Sequence, residues 1–173
     1  MKTKNIFLVL LFSTVVSISF AQEKTRKQLR EDRKLEKKRQ TEILMNSKEF
    51  VFVARNASPH GFRNVDLTSN TNYLKFQPDF IKSEMPFFGT AYNGAAYGGD
   101  GGLNFEGKPQ QYTFKKEKKA YQIKAVVKGQ NDLYTIFISI FFDGSASLSI
   151  NSNNRSTISY SGEISPIEKK EIK

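Results

Sequence analysis

The pattern of apolar and polar positions divides the chain into three stretches. An apolar run from Ile6 to Phe20, interrupted only by serine and threonine, follows Lys2 and Lys4. A charged stretch without glycine or proline continues to about Asn46, and from Glu49 onward apolar and polar residues alternate. The three patterns predict an export signal, a helix and a β domain.

The first stretch predicts a cleavable secretory signal over residues 1–21. A positive start, a short apolar segment and small residues at Ser19 and Ala21 form the pattern that signal peptidases cut. The apolar run is shorter than the roughly 20 residues that cross a bilayer as a helix, so we expect no transmembrane span in the mature chain. No cysteine follows the cleavage site. We therefore expect an exported protein, periplasmic or extracellular, that is not a lipoprotein.

The second stretch predicts a charged helical leader over residues 22–48. Favourable charge pairs four residues apart, such as Glu23/Lys27, alternate with like-charge pairs such as Arg26/Arg30. The few apolar residues spread over about half of the helix circumference, which suffices to dock only the C-terminal end of the helix. These residues are Leu29, Leu35, Ile43 and Leu44.

The third stretch, residues 49–167, predicts a mainly β domain, followed by a short charged tail over 168–173. We count seven to nine strands joined by turns without a helical crossover, which is typical of an antiparallel sandwich or a partly open barrel. Both architectures produce the same alternation, so the choice between them stays open. The first strand is predicted only over Phe50–Ala54, because a turn-rich segment containing Pro59 follows.

Two turns near the C-terminus predict strand registers. Asp143-Gly144 favours a two-residue hairpin turn, which would place Phe141 opposite Ala146 and leave both faces of the strand Leu133–Phe142 apolar. The Ile136–Ile140 face would then need a cover, for which the helix is one candidate.

The second turn is a predicted three-residue loop, Ser152-Asn153-Asn154, that pairs Leu148 with Ile158. Such a loop favours the left-handed conformation at Asn154, because asparagine is one of the few residues that tolerate it.

The composition limits the kinds of partner and site that the protein can have. The net charge is +10, but residues 50–167 contain 12 basic and 9 acidic residues. The net charge therefore belongs mainly to the signal segment and the helix. We therefore expect no nucleic-acid partner. The absence of cysteine excludes a disulfide scaffold and a thiol nucleophile, and His60, the only histidine, lies in a turn without a partner at motif spacing. Since no two carboxylates stand out as a pair, the sequence indicates no catalytic residue, no cofactor and no metal ligand.

The most distinctive segment is Met85–Phe105, which is rich in glycine and aromatic residues. It matches neither a phosphate loop nor a dinucleotide fingerprint. Aromatic side chains in a long loop must pack somewhere, so residues 89–102 either cover one end of the β domain or form a binding mouth. Arg155 either binds an anionic group or bonds loop carbonyls. The candidate ligand-binding residues are Phe87, Phe88, Tyr92, Tyr97 and Arg155.

Three motifs carry a resemblance to a known family. They are Met-Pro-Phe-Phe-Gly-Thr-Ala-Tyr at 85–92, Gly-Gly-Leu-Asn-Phe at 101–105 and Asn-Arg-Ser-Thr-Ile-Ser-Tyr-Ser-Gly at 154–162. In this order they resemble the family called domain of unknown function 4251, over roughly Glu49 to Ile164. The resemblance implies an exported protein of Bacteroidetes bacteria and no established activity.

Three classes of function follow from these observations. The favoured class is a non-catalytic binding domain of the cell envelope that takes a small apolar or aromatic-compatible ligand. The alternative is a structural or protein-interaction module that contacts an envelope protein through the basic N-terminal helix. An enzyme is the least favoured class, because no nucleophile motif or acid–base pair is present.

Overall fold

The computed structural model describes residues 25–92, 101–130 and 132–167. The chain divides into two compact units, Met1–Glu36 and Lys37–Lys173. The described part of the first unit is helical. The second contains the last turns of that helix and the whole β domain.

The helix α1 spans Arg26–Ser47 and confirms the predicted N-terminal helix. Thr25 and Gln28 form a reciprocal cap, in which the Gln28 amide donates to Thr25 Oγ1 and the Thr25 amide donates to Gln28 Oε1. The helix ends where Lys48 takes a φ of 56°, the left-handed conformation that commonly follows a C-terminus. Residues 22–24 lie outside the described residues.

The C-terminal turns of α1 pack partly through a predicted side chain, Leu44, which is half-buried against the core, and partly through others. Thr41 and Met45 are buried, whereas Ile43 is exposed. Lys116 Nζ lies 3.1 Å from Glu42 Oε1, and Lys38 Nζ lies 5.6 Å from the centroid of the Phe142 ring. Thr41 can be buried because its small side chain fits beside Gly144. A Cβ built on Gly144 would lie 3.5 Å from Thr41 Oγ1.

Ten antiparallel strands occur in the described residues, one of them a two-residue strand that pairs only with β1. They are β1 (Phe50–Pro59), β2 (Val65–Asp66), β3 (Tyr73–Gln77), β4 (Phe80–Met85), β5 (Leu103–Gly107), β6 (Pro109–Lys116), β7 (Ala120–Lys128), β8 (Leu133–Phe141), β9 (Ser145–Ser152) and β10 (Ile158–Ser165). The strand order is β5-β4-β3-β1-β10-β9-β8-β7-β6. The predicted mainly β, antiparallel class is confirmed.

The two ends of the sheet curl toward each other, so the sheet nearly closes into a barrel. Phe105 on β5 stacks on Tyr134 of β8 with ring centroids 4.0 Å apart, and Phe76 on β3 lies 5.7 Å from Tyr112 on β6. One continuous core fills the interior. Its largest fully buried strand residues include Phe50, Phe52, Phe76, Leu74, Ile81, Leu103, Ile136, Ile138 and Tyr160.

The β8–β9 hairpin differs by one residue from the predicted register. Ile140, and not Phe141, lies opposite Ala146. The chain turns through residues 142–144, and Gly144 has a φ of 86°. This is the common three-residue hairpin loop that ends in a left-handed residue, so the two-residue turn was the wrong prediction.

The shift of one residue reverses the two faces of β8. Ile136, Ile138 and Ile140 point into the barrel and are fully buried, so they need no external cover. Phe137 and Phe141 instead lie on the outer face and are 41% and 43% exposed. The predicted role of the helix as a cover for the Ile136–Ile140 face is therefore wrong.

The β9–β10 connection is two residues longer than predicted. Leu148 pairs with Tyr160, and Ile158 pairs with Ile150. A shift of two residues leaves each side chain on its original face, so the predicted buried set is correct. Asn154 is not left-handed, since Lys48 is the only non-glycine residue with positive φ in the part of the chain described.

The first strand is also longer than predicted, because β1 continues through the turn-rich segment to Pro59. Pairing with β10 continues along its whole length, with a bulge between Ala54 and Asn56. Tertiary pairing therefore outweighs the local turn preference of this segment.

Candidate functional site

An open cleft of about 1240 Å³ lies at the rim of the β domain, lined by residues of β4 and β5 and of the β7–β8 and β9–β10 loops. We call it the rim cleft. Its charged lining residues are Lys82, Glu84, Glu106, Asp132 and Arg155; its amide residues are Asn70, Asn104, Gln130 and Asn154; its rings are Phe87, Phe105 and Tyr134. The cleft therefore combines a few aromatic faces with many hydrogen-bonding groups.

Arg155 forms one wall of the rim cleft and is held from two sides. Its Nη1 donates to the carbonyl oxygens of Gly101, at 3.0 Å, and Gly102, at 2.7 Å. Its guanidinium carbon lies 5.1 Å from the centroid of the Phe87 ring, within the range of a cation–π contact. Arg155 thus joins the β9–β10 loop to the segment before β5. Of its two predicted roles, this is the bonding of loop carbonyls.

The segment after β4 runs beside the β9–β10 loop and supports Phe87. The Ser156 amide donates to the Thr90 carbonyl at 2.9 Å, and the Thr90 amide donates to Ser156 Oγ at 3.0 Å. A Cβ on Gly89 would lie 2.3 Å from Ser156 Oγ and 2.6 Å from Phe87 Cζ. A side chain at this position would therefore displace the Ser156 hydroxyl or the Phe87 ring.

Tyr160 fixes the same segment from inside the barrel. Its side chain is 1% exposed, and its hydroxyl donates to the Pro86 carbonyl at 2.6 Å. Burial raises the pKa of Tyr160 well above the ordinary tyrosine value, although the charge of Arg155 opposes this shift. Tyr160 is therefore a neutral donor that anchors the chain beside Phe87.

Asp132 organises the β9–β10 loop, which carries Arg155. Its carboxylate accepts hydrogen bonds from the amides of Leu133, at 2.7 Å, Asn153, at 3.1 Å, and Asn154, at 3.3 Å. The Ser152 hydroxyl donates to it as well. These bonds satisfy the backbone of the β9–β10 loop and place Arg155 at the cleft.

Glu84 projects from the outer face of β4 into the rim cleft. Tyr73 donates its hydroxyl to Glu84 Oε1, and Lys82 Nζ lies 2.9 Å from the same oxygen. The hydrogen bond from Tyr73, followed by that from Lys82, lowers the pKa of Glu84. Desolvation, followed by the hydrogen bond to Glu84, raises the pKa of Tyr73. Glu84 is thus an ionised hydrogen-bond acceptor at neutral pH.

The structure brings together two of the five predicted ligand-binding residues, Phe87 and Arg155. Phe88 is half-buried and packs against the core, and Tyr92 is 63% exposed, so neither forms part of the cleft lining. Tyr97 lies outside the described residues.

Sequence reasoning missed most of the polar lining, of which Lys82, Glu84, Asn104 and Glu106 occupy outward positions on β4 and β5. Polar residues alternate with buried ones on the outer face of almost any half-buried strand. The sequence therefore contains no signal that separates Lys82, Glu84 and Glu106 from ordinary surface positions, whereas Asn104 lies in the Gly-Gly-Leu-Asn-Phe motif.

Two features of the described residues bear on the kind of site. They contain no group of three or more histidine, cysteine, aspartate or glutamate side chains that could hold a metal ion. Across residues 25–92, 101–130 and 132–167, no helix combines the length and the apolar character that a bilayer span requires.

Comparison with known proteins places this fold in a family. A model of the family described as "Domain of unknown function (DUF4251)" matches residues 32–164. The crystal structure of a DUF4251 family protein from Bacteroides eggerthii superposes with a TM-score of 0.58 at 21% sequence identity, and the match covers 75% of this chain and 87% of that one. No curated protein matches. The resemblance noted in the three motifs is therefore confirmed, and the chain belongs to the DUF4251 family of domains of unknown function.

Proposed function

We propose that the protein is an exported, non-catalytic domain that binds a small ligand with an apolar or aromatic ring in the rim cleft. The observation that carries this proposal is the placement of the Arg155 guanidinium over the Phe87 ring at the wall of an open cleft. Ligand sites commonly combine an apolar or aromatic contact with a few placed polar groups.

The geometry supports a ligand with one flat face. A ring that enters the cleft can lie against Phe87 or along the planar guanidinium of Arg155, and both surfaces attract aromatic groups. Glu84 and Asn104 on the outer face of β4 and β5 provide polar partners across the cleft. An anionic substituent on the ligand would be attracted to Arg155.

Two of the three acidic residues that line the cleft support a binding role over a catalytic one. Asp132 accepts four hydrogen bonds that hold a loop, and Glu84 accepts bonds from Tyr73 and Lys82. Both carboxylates are engaged in structure, and a general acid would require a raised rather than a lowered pKa at Glu84. Incubation with glycosidase, esterase and phosphatase substrates should yield no turnover; turnover abolished by Glu84→Gln would contradict the non-catalytic role.

The fluorescent dye anilinonaphthalene sulfonate, which carries fused rings and an anionic group, is a suitable probe. We expect it to bind the chain from Gln22 to Lys173, which includes every described residue. Phe87→Ala and Arg155→Gln should each weaken binding about five- to tenfold, as expected for loss of one aromatic or cation–π contact.

Tyr92→Ala is the matched control, since Tyr92 is an exposed aromatic residue of the same segment outside the cleft lining. It should change affinity less than twofold. Thermal unfolding of each variant separates loss of the cleft from loss of the fold. Equal weakening by Tyr92→Ala and Phe87→Ala, or no binding at all to the wild-type chain, would refute the proposed site.

Export is tested separately by N-terminal sequencing of the full chain after expression in a bacterium with a periplasm. We expect cleavage between Ala21 and Gln22. Retention of Met1 in the mature protein would contradict the export part of the proposal.

A further inference from the structure

The hydrogen bonds of Arg155 leave one edge of its guanidinium group for a ligand. A guanidinium carries its N–H donors in a flat fork, two of them on Nη1. In the described part of the chain, Nη1 makes the hydrogen bonds of this side chain, to the carbonyl oxygens of Gly101 and Gly102. Arg155 is half-buried and lines the rim cleft, so the edge formed by Nε and Nη2 is the part that a bound molecule can use.

The two cations of the described cleft lining differ in their partners. Lys82 Nζ lies 2.9 Å from Glu84 Oε1, and Glu106 is opposite Lys82 in the pairing of β4 with β5. Among the described residues, by contrast, no carboxylate oxygen lies within 4 Å of the Arg155 guanidinium, and the acceptors of Nη1 are neutral carbonyls. The positive charge of Arg155 is therefore the one that an anionic group on a ligand can neutralise.

The charge of the whole lining limits how many negative charges that group can carry. The described lining contains two basic residues, Lys82 and Arg155, and three acidic ones, Glu84, Glu106 and Asp132. A singly charged anion gains the attraction of Arg155 at contact distance and meets weaker repulsion from the more distant carboxylates. A doubly charged group such as a phosphate monoester meets twice that repulsion and finds no second unpaired cation in the described lining. The lining therefore favours a monoanion.

Arg155 is held in position before any ligand arrives. Its guanidinium carbon lies 5.1 Å from the centroid of the Phe87 ring, and Nη1 is fixed by the two glycine carbonyls. The backbone just before it is fixed as well, because Asp132 accepts hydrogen bonds from the amides of Asn153 and Asn154. Binding through the remaining edge therefore costs little side-chain entropy, which an unrestrained arginine would lose.

We propose that the ligand of the rim cleft is a ring compound with one carboxylate, which Arg155 binds side-on through Nε and Nη2. This inference rests on the proposed function and adds the chemical class of the ligand. A carboxylate is planar, and its two oxygens match two parallel N–H donors of a guanidinium, so the pair forms two charge-assisted hydrogen bonds. The attached ring then lies among the aromatic and amide side chains that line the same cleft.

The experiment is displacement of anilinonaphthalene sulfonate from the chain Gln22 to Lys173 by three compounds with the same ring. They are 2-naphthoate, 2-naphthamide and 2-naphthyl phosphate, compared at about pH 7.5 and about 0.15 M salt. At this pH the carboxylate carries one charge, the amide none and the phosphate nearly two, because its second pKa is about 6. We expect naphthoate to bind about tenfold more tightly than naphthamide, and also more tightly than naphthyl phosphate.

Variants assign the preference for naphthoate over naphthamide to one side chain. Arg155→Gln and Lys82→Gln each remove one positive charge from the cleft lining. Arg155→Gln should reduce the preference to less than about twofold, whereas Lys82→Gln should keep it above about fivefold, because Lys82 is already paired with Glu84. Arg155→Lys keeps the charge without the fork and should leave a preference of about threefold. The preference compares two ligands on one variant, so a general loosening of the rim affects both alike, and thermal unfolding shows that each variant is folded.

Four results would overturn this inference. They are equal displacement by naphthoate and naphthamide, tighter binding of naphthyl phosphate than of naphthoate, the full preference in Arg155→Gln or Arg155→Lys, and equal loss of the preference in Lys82→Gln and Arg155→Gln. In each of them the ring compounds still displace the dye, so the rim cleft remains a binding site. Failure of the dye and of all three compounds to bind would instead refute the proposed function.

Discussion

Gly162 occupies a position on β10 where any side chain would meet the backbone of β1. A Cβ built on it lies 2.0 Å from the Val53 carbonyl oxygen and 2.9 Å from Ala54 Cα. Gly162 pairs with Ala54 next to the bulge in β1, where the two strands approach closely. Gly162→Ala therefore requires the backbone itself to move, because no flexible side chain is available to yield.

The cost of this substitution follows from the size of that movement. Ordinary contacts of a Cβ begin at 3.4 Å, so β1 must shift on the order of 1 Å at the bulge. β1 also pairs with β2 and β3, so the shift disturbs three strand pairs. Overpacking in a closed core costs about 1–3 kcal/mol, and we expect the upper end of this range here. A loss of about 3 kcal/mol corresponds to a fall in Tm of about 10 °C for a domain of this size.

The assay is thermal and urea unfolding of the chain from Gln22 to Lys173, with circular dichroism as the signal that is monitored. Gly101→Ala is the control, since a Cβ on Gly101 would meet nothing within 4 Å. It should change stability by less than about 0.5 kcal/mol. If Gly162→Ala and Gly101→Ala unfold at the same temperature, β1 and β10 do not approach each other as described.

Three further predictions test the core, the register and the rim. Tyr160→Phe should lower the free energy of unfolding by about 1 kcal/mol at pH 7, because the variant lacks the hydrogen bond to the Pro86 carbonyl. Since the pKa of Tyr160 is raised in the folded state, this tyrosine stabilises the wild type fully below about pH 10 and less above it. Denaturant titrations should therefore show that the difference in stability between wild type and variant shrinks above about pH 10. Ile138→Ala should cost about 3 kcal/mol and Phe137→Ala less than about 1 kcal/mol by urea unfolding, and the reverse order would indicate the other hairpin register. Asp132→Ala should cost about 2 kcal/mol and weaken dye binding at the cleft, and an unchanged affinity would show that the carboxylate does not position the cleft wall.

The elements that local chemistry specifies were predictable from the sequence. α1 follows from a run of helix formers behind the reciprocal Thr25/Gln28 cap, and the alternation in β7–β10 identifies an antiparallel sheet. The predicted pairing face of Leu148, Ile158 and Tyr160 is also correct, because an error of two residues preserves the face of a strand.

The predicted register of the β8–β9 hairpin was wrong by one residue, and this small error reversed the two faces of β8. Asp143-Gly144 suits a two-residue turn and a three-residue loop equally well, since both need a left-handed glycine. The choice is made by packing: the three-residue loop buries Ile136, Ile138 and Ile140 on the same side as Leu148. Strand composition could not reveal this, because both faces of β8 are apolar.

The rim cleft could be predicted only in part. Phe87 and Arg155 stand out in the sequence by residue type, and the structure places both at the cleft. Glu84 and Asn104 become neighbours through the pairing of β4 with β5, a contact across 20 residues that no local pattern encodes.

The three motifs that identify the family meet at the rim, and their bonds show what the resemblance encodes. Tyr160 bonds the Pro86 carbonyl, Arg155 bonds the carbonyls of Gly101 and Gly102, and the Tyr92 amide bonds the Asn154 carbonyl. All of these contacts end on backbone carbonyl oxygens, so the motifs specify how three loops are joined. Lys82 and Glu106, which face the cleft, lie outside the motifs. Phe87 and Arg155, on which the proposed ligand contact rests, lie inside the motifs, so the dye-binding variants alter residues that also hold the rim together.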